Sequence, residues 1–310
     1  MGGTDILKKI SIGFGAALSY FFSAGFLFTQ LIMYSKPKKE KEVIELETRN
    51  GHFNQKDFDC LEKEEIVIPS SFGYSIKGLI AAPHKEKKFV IICHGVTMNR
   101  YNSVKYMNLF LKLGYNVLLY DHRRHGNSGG KTTSFGYYEK YDLHSAVHWL
   151  KEKYGHDATL GIHGESMGAA AMLLYAGILE DGADFYIADC PFEDMEKLLL
   201  HRIQAEIRIP GWLFIPIGRL FLKLRDGYSM NEVSPIRVID RIRKPILFIH
   251  GRDDQTIPFT SSQHLFKKKK GPKQLFIQEQ TGHAMSYTEN PAQYEKTVAE
   301  FLVGTRNETS

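Results

Sequence analysis

Four short stretches of this sequence hold residues whose types and spacing suit chemistry. In IHGESMGAAAMLL (residues 162–174), Ser166 sits between Gly164 and Gly168, after an apolar run and before small residues. A strand that turns sharply into a helix strains the backbone at such a serine, and flanking glycines relieve the crowding. The turn lifts the hydroxyl out of the sheet and sets it beside a helix N-terminus. There the Met167 amide and the helix dipole can hold an oxyanion. The plainer reading is a glycine-rich turn with a chance G-x-S-x-G. HGRDDQTIP (250–258) offers two acids, Asp253 and Asp254, whose plainer role is to cap the next turn. TGHAMSY (281–287) offers His283, and a loop histidine is most often only solvated. A serine hydroxyl is a weak nucleophile until a base takes its proton and an acid orients the base. All three parts follow apolar runs, in the chain order Ser, Asp, His. CHGVTMN (93–99) brings backbone N–H groups to a fourth strand end, where they suit an oxyanion hole completed by the Met167 amide; the plainer role of His94 is to hydrogen-bond and hold that loop.

The intervening residues supply elements to position these groups. EEIVIPSSFGYSIKGLIAAP reads as a hairpin around a Ser/Gly turn. KFVIICHG, YNVLLYD, TLGIHG, FYIADC, PILFIHG and KQLFIQE read as strands. Helical patterns lie between them, two of which stop at Gly114 and Gly155. Continuous apolar strands that alternate with helices predict a parallel sheet covered on both faces, with ligands at the carboxyl ends of its strands.

HGVTMN, YDHRRHGNSGG, HGESMG, SPIRVIDRIRKPILFIHGRDD and Gly282-His283 together resemble the α/β-hydrolase superfamily over about residues 65–304. Within it the chain is similar to the serine aminopeptidase-like (S33-type) group, and to Bacillus hydrolases that carry an N-terminal membrane segment. The resemblance implies a mostly parallel eight-stranded sheet with helices on both faces and a helical cap insert. It also maps the acid onto Asp254 through H-G-x-x-D-x-x-[VI]-P, with Asp253 as the alternative register, and gives one oxyanion amide to Val96. Substrate is not fixed by such a fold. One departure stands out. His122, Arg124 and His125 occupy a loop that relatives keep plainer, either to attract an anionic group or to pack against the cap.

With 310 residues and 43% hydrophobic content, the chain can bury a large core. Its net charge of +5 is spread out, apart from Lys36–Lys41 and Lys267–Lys270, which excludes a nucleic-acid groove. Cys60, Cys93 and Cys190 form no CxxC pair or disulfide framework. His144 and His148 share i,i+4 spacing, but no acidic third ligand lies near them in the sequence, so neither metal nor organic cofactor is expected.

From Ile10 to Tyr34 no residue is charged. About 20 residues of helix span a bilayer core, so residues 1–35 read as a single-pass membrane anchor rather than a cleaved signal. Residues 36–63 read as a polar linker, and 64–310 as the hydrolase domain with its cap at about 195–232. More lysines follow the apolar run than precede it, which together with unpaired cysteines favours a cytoplasmic body. The cap segment IPGWLFIPIGRLFLKL suits an acyl pocket, a membrane-facing surface, or ordinary cap packing.

The expected function is therefore a serine hydrolase that cleaves an ester or thioester of a small or lipid-like acyl substrate through an acyl-enzyme. Its alternatives are a peptidase, which needs an acid such as Glu165, Glu193 or Asp194 for a substrate amine, and a binding protein that has given up catalysis.

Overall fold

The computed structural model describes residues 3–207, 211 and 214–307. Three helices open the chain: α1 (Gly3–Met33), α2 (Glu40–Arg49) and α3 (Gln55–Cys60). The hairpin follows as β1 (Glu64–Pro69) and β2 (Ser75–Ala81). Alternation then begins with β3 (Lys88–Cys93), α4 (Val104–Lys112), β4 (Asn116–Tyr120), α5 (Glu139–Tyr154), β5 (Thr159–Glu165), α6 (Met167–Leu174) and β6 (Phe185–Asp189). The insert contributes α7 (Met195–Arg202) and α8 (Ile215–Asp226). The chain closes with β7 (Ile246–Gly251), α9 (Thr260–Lys268), β8 (Lys273–Gln278), α10 (Ser286–Glu289) and α11 (Pro291–Asn307).

The sheet order is β1-β2-β4-β3-β5-β6-β7-β8. β2 runs antiparallel to both β1 and β4, and every other pair is parallel. Alternate side chains of β3 show why its apolar run is unbroken. Phe89, Ile91 and Cys93 enter one core with α5, α6 and α9, while Val90 and Ile92 enter the other with α4 and α11. Register brings the chemistry to one edge: Cys93 pairs with Gly164, Glu165 with Asp189, and Gly251 with Gln278. The residues that follow these strand ends therefore meet.

The N-terminal segments are more integrated than their composition predicts. α1 has 31 residues, about 46 Å at 1.5 Å per residue, against a bilayer core of about 30 Å. By length and composition it can cross a membrane. Its C-terminal third instead packs on the cap: Thr29, Ile32 and Met33 are buried, and Gly218 of α8 lies against Phe28. Arg225 donates to Phe26 O, Thr29 Oγ1 and Gln30 Oε1 at 2.5–2.9 Å.

Residues 36–63 are likewise docked rather than a free tether. Val43, Glu47 and Phe53 are buried, Lys38 N–H donates to Thr97 O at 2.8 Å, and Asn102 donates to Glu47 at 2.8 Å. A few apolar positions among many charges gave too sparse a pattern to read as a packed helix.

The apolar cap segment splits its faces. Ile215, Phe221 and Leu222 are buried and Leu224 is exposed. Phe221 also meets Phe21 and Phe22 of α1 edge-on. Trp212 lies outside the described residues.

Candidate active site

Ser166 takes φ 54° and ψ −113°, a conformation that costs a non-glycine residue about 1–3 kcal/mol. Its N–H donates to Asp189 O at 2.8 Å, which anchors the turn to β6. Both glycines are needed for close approach. A Cβ at Gly164 would lie 2.6 Å from the Ala169 backbone, and one at Gly168 would lie 2.2 Å from Cys93 O.

Ser166 Oγ stands 3.0 Å from His283 Nε2, and His283 Nδ1 stands 2.6 Å from Asp254 Oδ2. A carboxylate only accepts, so Nδ1 carries the proton and the Nε2 lone pair faces the serine hydroxyl. Asp254 Oδ1 accepts the N–H groups of Thr256 and Ile257, both at 2.8 Å, and Oδ2 also accepts from His250 Nε2 at 3.1 Å. Burial pushes the Asp254 carboxyl up, but these donors outweigh it and hold it well below the usual carboxylate range. Asp253 is exposed, with its backbone N–H on Thr281 O. The structure thus brings Ser166, His283 and Asp254 together and leaves Asp253 outside.

A cavity of about 300 Å³ opens over Ser166. Val96, Met98, Phe135, Phe192, Leu198 and Ile257 give it an apolar wall, and Met167 and His283 also line it. Met167 begins α6, where a helix has no carbonyl of its own for the first amides. A larger hollow of about 910 Å³, bordered by Lys88, Thr159 and Asp184, lies at the opposite end of the strands and holds none of these groups.

The loop that carries Val96 is fixed by two histidines. Thr97, at φ 66°, donates its N–H to His125 Nε2 at 3.1 Å, and His122 N–H donates to His94 Nε2 at 2.9 Å. Their Nδ1 atoms face Arg123 O and Gly95 O at 2.8 and 2.7 Å. Both rings are therefore neutral, with the proton on Nδ1. Burial, together with the neighbouring cationic or titratable groups, holds both below the ordinary imidazole range. His94 does hold its loop, as one reading of the sequence had it. The basic loop does not line the cavity, and it reaches towards the cap only through Arg123, which lies over the Tyr138 ring and interacts electrostatically with Asp226 at the end of α8. His125 supports Thr97, and Arg124 donates to Ser35 O at the end of the α1 segment and lies over the Tyr34 ring.

Sequence reading missed a buried ionic network behind the serine. Lys105 Nζ lies 3.0 Å from Glu165 Oε2, and both side chains are buried. Tyr106 OH reaches Glu165 at 2.8 Å and Asp189 at 3.2 Å, and Tyr294 OH reaches Asp189 at 3.0 Å. Burial, reinforced by the Glu165 charge, pushes Asp189 up to about 6. The only signal in the sequence was Glu165 itself, next to the serine. His250 was missed as well, although it opens the HGRDD motif.

A strained serine at a strand-to-helix turn, facing a histidine and an acid from later strand ends, defines the α/β-hydrolase architecture. Residues 88–213 match the family described as alpha/beta hydrolase fold. The uncharacterized protein YqkD of Bacillus subtilis is 54% identical over 297 residues, 96% of this chain and 97% of its own length. The chain belongs to the α/β-hydrolase family. The Pyrococcus furiosus esterase Pf2001 shares 26% identity at a TM-score of 0.66, over 81% of this chain and 95% of that one. The lysophosphatidylserine lipase ABHD12 of Rattus norvegicus is 28% identical over 173 residues, 53% of this chain and 40% of its own length.

Proposed function

We propose that this protein is a membrane-anchored serine hydrolase that cleaves a carboxylic ester or thioester through an acyl-enzyme. The observation that carries the reading is the Ser166–His283–Asp254 relay, at 3.0 and 2.6 Å, at the floor of an apolar cavity. His283 Nε2 takes the Ser166 proton as Oγ attacks the carbonyl carbon. Asp254 keeps His283 in the required tautomer and stabilises the imidazolium. The amides of Val96 and Met167 hold the developing oxyanion. His283 then gives the proton to the leaving alcohol or thiol as that bond breaks. A water, deprotonated by His283, attacks the acyl carbon and frees the acid and Ser166. The chain's own residues supply every proton transfer in this scheme.

The polar groups favour an ester over a peptide N-terminus. Of the three acids that could bind a substrate amine, Glu193 pairs with Lys197 and His264, and Asp194 caps α7 and accepts from Ser234. Glu165 borders the cavity but is already committed to Lys105 and Tyr106. This weighs against a peptidase of the S33 type, which the sequence also resembles. The apolar wall suits an acyl chain, in keeping with the esterase and lipase names of the relatives. α1 supplies the anchor, and its packed C-terminal third sets the cap close to the bilayer, so a lipid-like substrate is the natural class.

The test sets p-nitrophenyl esters of increasing chain length beside aminoacyl anilides, with wild type and Ser166→Ala. Ester turnover that Ser166→Ala abolishes supports the reading. Faster turnover of the anilides favours a peptidase. No turnover of either by folded protein favours a binding protein.

A further inference from the structure

Away from the cavity, α5 and the end of the serine-bearing helix converge on three ligand atoms. His144 and His148 stand one turn apart on α5, with their Nε2 atoms 3.0 Å from each other. Glu180 Oε2 lies 3.8 Å from His144 Nε2 and 3.5 Å from His148 Nε2. Glu180 is far away in sequence. It arrives because α6 continues into one turn wound as a π-helix, Tyr175–Leu179, and Glu180 ends that turn.

We infer that His144, His148 and Glu180 form a zinc-class divalent cation site that staples α5 to the far end of the helix that begins after Ser166. Tetrahedral bonds of about 2.0–2.1 Å put ligand atoms about 3.3–3.4 Å apart, and the three observed separations straddle that value. Hydrogen bonding alone leaves the group incomplete. One proton between the two rings satisfies their mutual contact, but the carboxylate stays at 3.5 and 3.8 Å, beyond an ordinary hydrogen bond. A cation at the centre satisfies all three.

The neighbours leave room for one. Lys151 Nζ sits 3.6 Å from the other carboxylate oxygen, Oε1, and donates to Gly182 O at 2.8 Å. It steadies Glu180 without occupying Oε2. Tyr175 OH reaches Oε2 only at 3.5 Å. His144, His148 and Glu180 are all partly or largely open to solvent, so the ion can exchange and take water as a fourth ligand. Two imidazoles with one carboxylate suit Zn²⁺ and disfavour Mg²⁺, which prefers an all-oxygen shell. A second cluster, Cys190, Asp254 and His283, belongs to the active site already described.

Ser166 lies at the start of α6 and Glu180 past its end, about 20 Å away at helical rise. The ion therefore stabilises the fold and takes no part in hydrolysis.

The experiment is calorimetric titration of the chelator-stripped full chain, in detergent, with Zn²⁺ and separately Mg²⁺, for wild type, His148→Ala and Glu180→Gln. Thermal melts with and without Zn²⁺ accompany it. Wild type should bind Zn²⁺ and melt higher with it, and Mg²⁺ should do neither. Each variant should bind at least about tenfold more weakly, a loss that even residues outside a ligand set can cause, and should lose the zinc-dependent rise in melting temperature. Ester turnover of metal-free His148→Ala should match wild type, which shows that the variant is folded. Absence of Zn²⁺ binding by wild type, or equal binding by all three proteins, overturns the site.

Discussion

His125→Phe tests whether the Val96 loop is held in place as described. The substitution keeps a ring of similar size but removes Nε2, the acceptor for Thr97 N–H at 3.1 Å. The Thr97 amide is only partly buried, so leaving it without a partner costs near the lower end of about 1–3 kcal/mol. Thr97 already sits at φ 66°, a strained conformation held from one side by His125 and from the other by Lys38 N–H. Once one clamp is gone the turn should relax, and Val96 moves with it. Complete loss of one oxyanion donor costs about 10²–10³ in kcat, so a displaced donor should cost at least about tenfold. The assay is steady-state hydrolysis of p-nitrophenyl acetate beside a thermal melt. kcat should fall with KM nearly unchanged, and melting should drop by only a few degrees, at about 2–4 °C per kcal/mol. His125→Gln, whose amide oxygen can accept from Thr97, should recover part of kcat. A melting drop with kcat within about twofold of wild type would mean that His125 packs the loop without setting the oxyanion geometry.

Three further outcomes follow from other parts of the structure. Asp254→Asn should lower kcat by about 10⁴, because the amide favours the wrong His283 tautomer, whereas exposed Asp253→Asn should change it little. Stability should fall with acid. Burial holds His94, His122, His125 and His163 below their unfolded pKa, with His122 and His163 pushed down to about 3. Below about pH 6.5 the unfolded chain binds protons that the folded rings refuse, so stability is present above that pH and is lost as pH falls, by about 1.4 kcal/mol per unit towards pH 3 for each of His122 and His163. Asp142 and Asp189, pushed up to about 6, offset part of this between about pH 6 and 4. Urea melts of His163→Phe should therefore show a shallower acid slope than wild type, and an unchanged slope would refute the assignment. Lastly, deletion of residues 1–24 should leave a folded, active protein. Deletion through residue 35 also strips Ile32 and Met33 from the cap, each worth about 1.5–3 kcal/mol, and should lower the melting point and kcat together.

Much of the site was legible in the sequence because each part is local. Gly164-x-Ser166-x-Gly168, the acid pair and His283 each follow an apolar run, and a parallel sheet aligns strand ends without any long-range information. The choice of Asp254 needed the family register, and the structure sets that residue against His283. What was not legible depends on contacts between distant segments. Lys105 reads as a surface lysine on an amphipathic helix until β5 brings Glu165 beneath it. His144 and His148 lacked an acid until the π-wound turn delivered Glu180. The charged residues after α1 hid Val43 and Phe53, and nothing in an apolar run of membrane length tells which third of it will pack on protein. The other partners of the basic loop were hidden for a related reason: His125 and Arg124 point to backbone groups of Thr97 and Ser35, which carry no signature in sequence.

On the proposed mechanism Ser166 is the activated nucleophile. The most direct measurement is peptide mapping by mass spectrometry after a fluorophosphonate has reacted with the full chain in detergent. One adduct on Ser166, absent in Ser166→Ala and formed far more slowly in His283→Ala, is the predicted result. A folded wild type that forms no adduct, or one that carries it on another residue and still does so in Ser166→Ala, would exclude Ser166 as that nucleophile.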